Sequence, residues 1–201
     1  MFKNLLQIYE KRDNVKLDKN RIYLKRGKMK NQVIVDKSLP KNLPLLIKDR
    51  AWNYGDYVCQ RARNKDGKYV SYTYKETYSD ILAFAIAMQE IGVKRGSHVG
   101  LIADNRREWL VTDLALLSLG AADVPRGCDT MSTEICYILD YADCLHSFFE
   151  NGKQLEKLLD NADKAPNVKT AILFDAPSEE TLEKAKSKGI KVYTFEKLLA
   201  L

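Results

Sequence analysis

Four consecutive residues, Arg126, Gly127, Cys128 and Asp129, bring a guanidinium, bare backbone, a thiol and a carboxylate into one short stretch. A thiol attacks only as thiolate, and that needs a base or a positive field beside it. Arg126 is near in sequence, but His98 and His146, the only histidines, are not. Cys128 is therefore not read as a nucleophile, and no catalytic residue is assigned. Gly127 lets backbone come close to a ligand, so Arg126, Gly127, Cys128 and Asp129 are candidate cofactor-binding residues. The plainer alternative is a turn in which Asp129 caps a helix and pairs with Arg126. A second polar set, Asn105, Arg106, Glu108 and Trp109, has groups that can touch a nucleotide. Its spacing equally suits Asn105 as a helix cap, Glu108 three residues on in a capping box, and Trp109 as core. The structural role is the simpler one.

The cysteines Cys59, Cys128, Cys136 and Cys144 form no C-x-x-C pair, and neither histidine lies near another in sequence. A zinc site wants tighter, paired spacing, so no metal site is assigned. The thiols are read as reduced and mostly buried. Tyr69, Tyr72, Tyr74 and Tyr78 alternate along a strand into a helix, with only Lys68 and Lys75 nearby. Cross-strand packing explains them better than stacking on bases.

The net charge of +6 is local: residues 1–28 hold nine Lys or Arg against three acidic residues, and the rest of the chain is neutral. That argues against nucleic acid as a partner of the domain. The leader, expected over residues 1–40, carries Phe2, Leu5, Leu6, Ile8 and Tyr9, enough for a short basic amphipathic turn and weak membrane-surface contact. A flexible, solvated extension is the simpler reading. Met29 is an alternative start. No apolar run approaches the 18 residues of a membrane-spanning helix. With no signal-peptide pattern, the cytoplasm is the expected compartment, peripheral to membrane if the leader makes contact.

The elements that must position these residues begin with a short helix at 42–54. Two β-rich runs then flank Asp66-Gly67, a hairpin signal. From residue 75 helix and strand periodicities alternate: a helix with Ile81, Phe84, Ala85 and Met88 on one stripe, a strand at 98–103, and a helix at 106–119 ended by Gly120. Strands at 121–124, 145–149, 168–174 and 190–193 alternate with further helices, one of them starting at Ser132. This alternation predicts an α/β fold, a mainly parallel sheet with helices on both faces, with a β-hairpin near its start. Ligands of such sheets sit beyond the carboxyl ends of strands, which singles out the loops 104–107 and 125–131.

Three stretches carry a resemblance. SYTYKETYSDILAFAIAMQEIGVKRGSHVGLIADN (71–105), NRREWLVTDLALLSLGAADVPRGCDT (105–130) and STEICYIL (132–139) follow one another at the spacing of a known family. The chain resembles the first subdomain of adenylate-forming enzymes, in their long-chain fatty-acid–CoA ligase branch, over residues 40–160 and more loosely to 201. The resemblance implies ATP, Mg²⁺ and CoA as cofactors of the full-length enzyme, and a fatty acid as substrate. It implies that the loop at Arg126 approaches the pantetheine channel. It also implies a first subdomain, 41–201, whose partner is the missing remainder of the enzyme.

The family's Ser/Thr/Gly-rich loop ending in lysine does not occur in these residues, nor does any glycine-rich strand-to-helix turn. The expectation is a fragment inactive alone that binds none of these cofactors. Transfer to an acyl carrier protein and a non-catalytic acyl-binding or partner-binding module are the alternatives. A flavodoxin-like nucleotide binder is disfavoured by the missing G-x-G-x-x-G turn. Leu114–Leu119 and the closing FEKLLAL segment are expected to expose apolar surface and favour self-association.

Overall fold

The computed structural model of the protein describes residues 40–64 and 66–200. All but the last residue of the expected leader lies outside them, as do its amphipathic cluster and Met29.

Helix α1 (Leu43–Asn53) starts where the Asn42 side chain accepts from the Leu45 N–H, with a proline in its first turn. Strands β1 (Val58–Arg63) and β2 (Tyr69–Thr73) pair antiparallel. Their turn is closed by the Asn64 carboxamide, which accepts from the Asp66 and Lys68 N–H groups, and by Gly67 at φ 75°. This is the hairpin expected from Asp66-Gly67. Thr73 and Glu76 cap α2 (Tyr74–Glu90) reciprocally in a full capping box.

The sheet follows. β3 (His98–Ile102), α3 (Arg107–Leu119), β4 (Ala122–Arg126), α4 (Ser132–Tyr141), β5 (His146–Phe149) and α5 (Gly152–Leu159) alternate in sequence. β6 (Thr170–Leu173), α6 (Glu179–Ser187), β7 (Lys191–Thr194) and α7 (Phe195–Leu199) complete them. The five strands β3–β7 pair in parallel in the order β4-β3-β5-β6-β7. Each strand therefore sends successive residues into opposite cores. Leu101, Phe148 and Ile172 enter one, with Ile81, Phe84 and Met88 of α2, Val111 and Ala115 of α3, and Phe195 of α7. Ile102, Phe149 and Leu173 enter the other, with Leu139 of α4, Leu155 and Leu158 of α5, and Ala185 of α6. Gly100 permits this closeness: a Cβ there would lie 2.4 Å from Leu139 Cδ2 and 2.5 Å from Ser147 Oγ.

Several expectations change. β4 runs two residues past Val124, because the Arg126 carbonyl still accepts from Ala103 N–H. Pro125 does not break it, since β4 is an edge strand and this position faces away from β3. Helix α3 begins one residue late, with Arg106 as an extended N-cap, so Asn105 does not cap it and no side chain does. Leu114, Leu116, Phe195 and Leu198 are buried, which removes the expected apolar patch at those segments. His98 and His146 both open strands, at the same edge of the sheet. Cys136 and Cys144 are buried, Cys59 and Cys128 half-buried, and all four are free thiols.

Candidate functional site at the carboxyl edge of the sheet

Strand order sets this site. β4, β3 and β5 lie side by side, so the residues that follow them meet at one edge. Asp104 follows β3, Cys128 follows β4 and Glu150 follows β5, and one ligand atom from each lies within 4.8 Å of the others. The Asp104 carboxylate accepts from Cys128 N–H at 3.0 Å, and the Glu150 carboxylate accepts from Asp104 N–H at 2.9 Å. Burial, and then the hydrogen bond to Glu150, push the Cys128 thiol up to about 11. The thiol therefore stays protonated near neutral pH. Sequence spacing hid this triad, though the first polar residue after each apolar run would have nominated Asp104 and Glu150.

Lys157 of α5 fixes the outer half of the loop. Its ammonium donates to the carbonyls of Cys128 at 2.7 Å and Thr130 at 2.8 Å. Ser132 Oγ donates to the Lys157 carbonyl and accepts from Asn161 Nδ2. Arg126 does not pair with Asp129. Its Nη1 donates to the Pro125 carbonyl at 2.7 Å, and its Nε stands 3.7 Å from Glu134. Asp129 folds over Gly127 instead: a Cβ on Gly127 would sit 2.8 Å from Asp129 Oδ1.

On the other flank, Arg106 donates twice to the Asp175 carboxylate, at 2.9 and 3.1 Å, and once to Glu108 at 2.8 Å. Its guanidinium stands over the Phe174 ring. Burial opposes this charge, but the hydrogen bonds to Asp175 and Glu108 outweigh it and raise the group above its ordinary range. Glu108 is thus a partner of Arg106 and not of a helix cap. Between the flanks lies an open cleft of about 300 Å³. Asn105, Trp109, Pro125, Arg126 and Gly127 line it, so the structure brings half of each candidate set to one place. Trp109 is half-buried, packed partly on the core and partly on the cleft. Near the start of β4, Asp113 of α3 faces Asp123, and burial plus this like charge push the Asp113 carboxyl up to about 6.

The profile of the AMP-binding enzyme family matches residues 47–196. The chain belongs to that family. Among curated members, Long chain acyl-CoA synthetase 4 of Arabidopsis thaliana is 28% identical over 138 residues, 68% of this chain and 21% of that protein. Long-chain-fatty-acid–CoA ligase ACSBG2 of Xenopus laevis is 26% identical over 163 residues, 81% of this chain and 21% of that one. Long-chain-fatty-acid–[acyl-carrier-protein] ligase AEE15 of Arabidopsis thaliana is 24% identical over 159 residues, 79% of this chain and 22% of it. The chain thus spans about a fifth of the length of the curated relatives it matches. Among solved structures, the adenylation domain of a carboxylate reductase from Mycobacterium chelonae superposes with TM-score 0.68 at 18% identity, covering 81% of this chain and 29% of that one. This AMP-binding family chain therefore has the adenylation-domain fold over its described residues.

The nucleotide of the AMP-binding family, and the Mg²⁺ expected with it, have no matching cradle among the described residues. No glycine-rich turn ends in a lysine. The Asp104 and Glu150 carboxylates already accept backbone N–H groups, and the third donor is a protonated thiol, a poor ligand for Mg²⁺.

Proposed function

We propose that this chain supplies the first part of an ATP-dependent fatty-acid ligase, one that activates a long-chain carboxylate as its adenylate and passes the acyl group to a thiol. The observation that carries this reading is the family match across residues 47–196, together with relatives named as long-chain acyl-CoA synthetases. A carboxylate is a poor electrophile, and adenylation gives it a leaving group that a thiol can displace.

Within that reaction, Arg126, Gly127, Cys128 and Asp129 form part of the wall along which the thiol carrier arrives. Two features support this. Helices α3 and α4 rise from the loops beside the cleft, and neither has a side-chain cap, whereas α1, α2, α5, α6 and α7 each do. Their first N–H groups and the half-exposed Arg126 offer donors to the amide or phosphate groups of a pantetheine carrier. CoA, when bound, supplies the acceptor thiol. The chain's residues orient the carrier and leave the chemistry to groups outside this segment. The relative named as an acyl-carrier-protein ligase keeps that carrier as a second acceptor with the same pantetheine arm.

Fatty-acid-dependent ATP–pyrophosphate exchange on the purified 201-residue chain tests the reading. No exchange is expected from a folded sample, and exchange above background would refute the division of labour. Against the expectation that the chain alone binds none of the cofactors, this placement of the loop requires weak CoA binding, which Arg126→Ala should weaken further. Equal CoA affinity in that variant would remove the loop from the carrier path.

A further inference from the structure

We propose that the outer face of the β1–β2 hairpin docks on an anionic lipid surface. The register sets Arg63 opposite Tyr69 and Arg61 opposite Ser71, and these four residues are all exposed. They share one face of the ribbon, because alternate residues do. The other face, with Ala62, Val70 and Tyr72, is half-buried, and Arg107 of α3 stands over the Tyr72 ring. The outer face therefore has no partner element within the described residues. It presents Arg61 and Arg63 beside Tyr69, which is 69% exposed, with Val58 47% exposed further along the strand. Tyr57, just before β1, is 62% exposed.

Ring plus cation on an exposed ribbon suits a membrane interface, where a tyrosine body enters the headgroup layer and arginines meet lipid phosphates. Charge is segregated in the same sense. Residues 41–78 carry eight Lys or Arg against four Asp or Glu, whereas residues 79–201 carry fourteen against nineteen. An anionic surface attracts residues 41–78 and repels residues 79–201, which favours approach by the hairpin over approach by the sheet. Nucleic acid fits less well. Bases stack on open ring faces, and here Arg63 covers a face of Tyr69, Arg50 one of Tyr54, and Lys48 one of Trp52. This docking is independent of the ligase reading.

Co-sedimentation of the full chain with vesicles tests it, comparing phosphatidylcholine alone with phosphatidylcholine containing phosphatidylserine. The chain should sediment with the anionic vesicles and much less with the neutral ones. Removing both charges in Arg61→Ser with Arg63→Ser should weaken partitioning roughly thirty-fold, at about 1 kcal/mol per cation near such a surface. Arg61→Lys with Arg63→Lys should retain most of it. Both substituted positions are exposed, so the unfolding midpoint serves as a fold control. Unchanged partitioning of the serine variant would assign all binding to the basic residues 1–28 and overturn the proposal. Equal binding to neutral vesicles would overturn it too, as would a single-stranded oligonucleotide that displaces the vesicles. A dimer that dissociates in the serine variant would assign the face to a second copy instead.

Discussion

Replacing Asp113 by asparagine should stabilise the protein at neutral pH, against the usual direction for a half-buried site. Asp113 and Asp123 face one another, and the Asp113 carboxyl holds its proton up to about 6 where an unfolded chain releases it near 4. Two units at 1.36 kcal/mol each set an upper bound of about 3 kcal/mol, and partial solvation of the pair reduces that to about 1–2 kcal/mol. Between pH 4 and 6 the folded state binds more protons than the unfolded state. This pair's stability is therefore fully present below about 4 and lost as pH rises through about 6. The carboxamide of the Asp113→Asn variant would keep a donor toward Asp123 at every pH. Urea melts of both proteins at pH 4 and pH 7 check this. The variant should gain about 1–2 kcal/mol at pH 7, a rise of roughly 2–8 °C in Tm for a chain this size, and almost nothing at pH 4. Equal stability at pH 7, or the same gain at both pH values, would refute the argument.

Lys157→Met should cost about 2 kcal/mol in urea and open the 127–131 loop to faster amide exchange, because two carbonyls lose an ammonium donor. Glu150→Gln should speed alkylation of Cys128 at pH 8, since it removes the carboxylate that, after burial, holds the thiol up; peptide mass spectrometry after timed iodoacetamide quenches reads the rate, and no change would assign the shift to burial alone. Burial lowers the pKa of His146, whose ring nitrogens have no hydrogen-bond partner among the described residues, so the folded ring stays neutral while the unfolded one charges. The wild type should therefore lose stability as pH falls below about 6.5, and His146→Leu should lack that part of the slope in melts from pH 7.5 to 5.

Local signals survived translation into structure, and long-range ones did not. Asp66-Gly67 and Gly120 each act within four residues of chain, and each is found where its chemistry requires. The helix–strand alternation likewise forces helices onto both faces of a parallel sheet. The Asp104–Cys128–Glu150 triad depends on the order β4-β3-β5, which no periodicity encodes. Asn105 failed as a cap for a related reason. Asp175, sixty-nine residues on from Arg106, takes that guanidinium bidentately at the position where the helix starts. Pro125 read as the end of a strand only while its neighbour on one side was unknown.

β4 concentrates the departures from what stability alone would select. It is an edge strand whose outward positions include Asp123 and Pro125, so it offers few donors to another strand and resists extension. Its second residue is half of a like-charged pair, and its last one leaves a guanidinium at the cleft instead of in a full ion pair. The α-helices on either side of the cleft start without side-chain caps, though Asn, Ser or Thr caps serve all the other α-helices among the described residues. These features cost folding energy along β4, and Lys157, Arg106 and the triad hold its carboxyl end in place from both sides. Conflicts that cluster in this way, inside an otherwise self-consistent sheet, mark a surface kept for binding. The cleft at Arg126 is where the proposed thiol carrier is to be sought, and Arg126→Ala tests that contact.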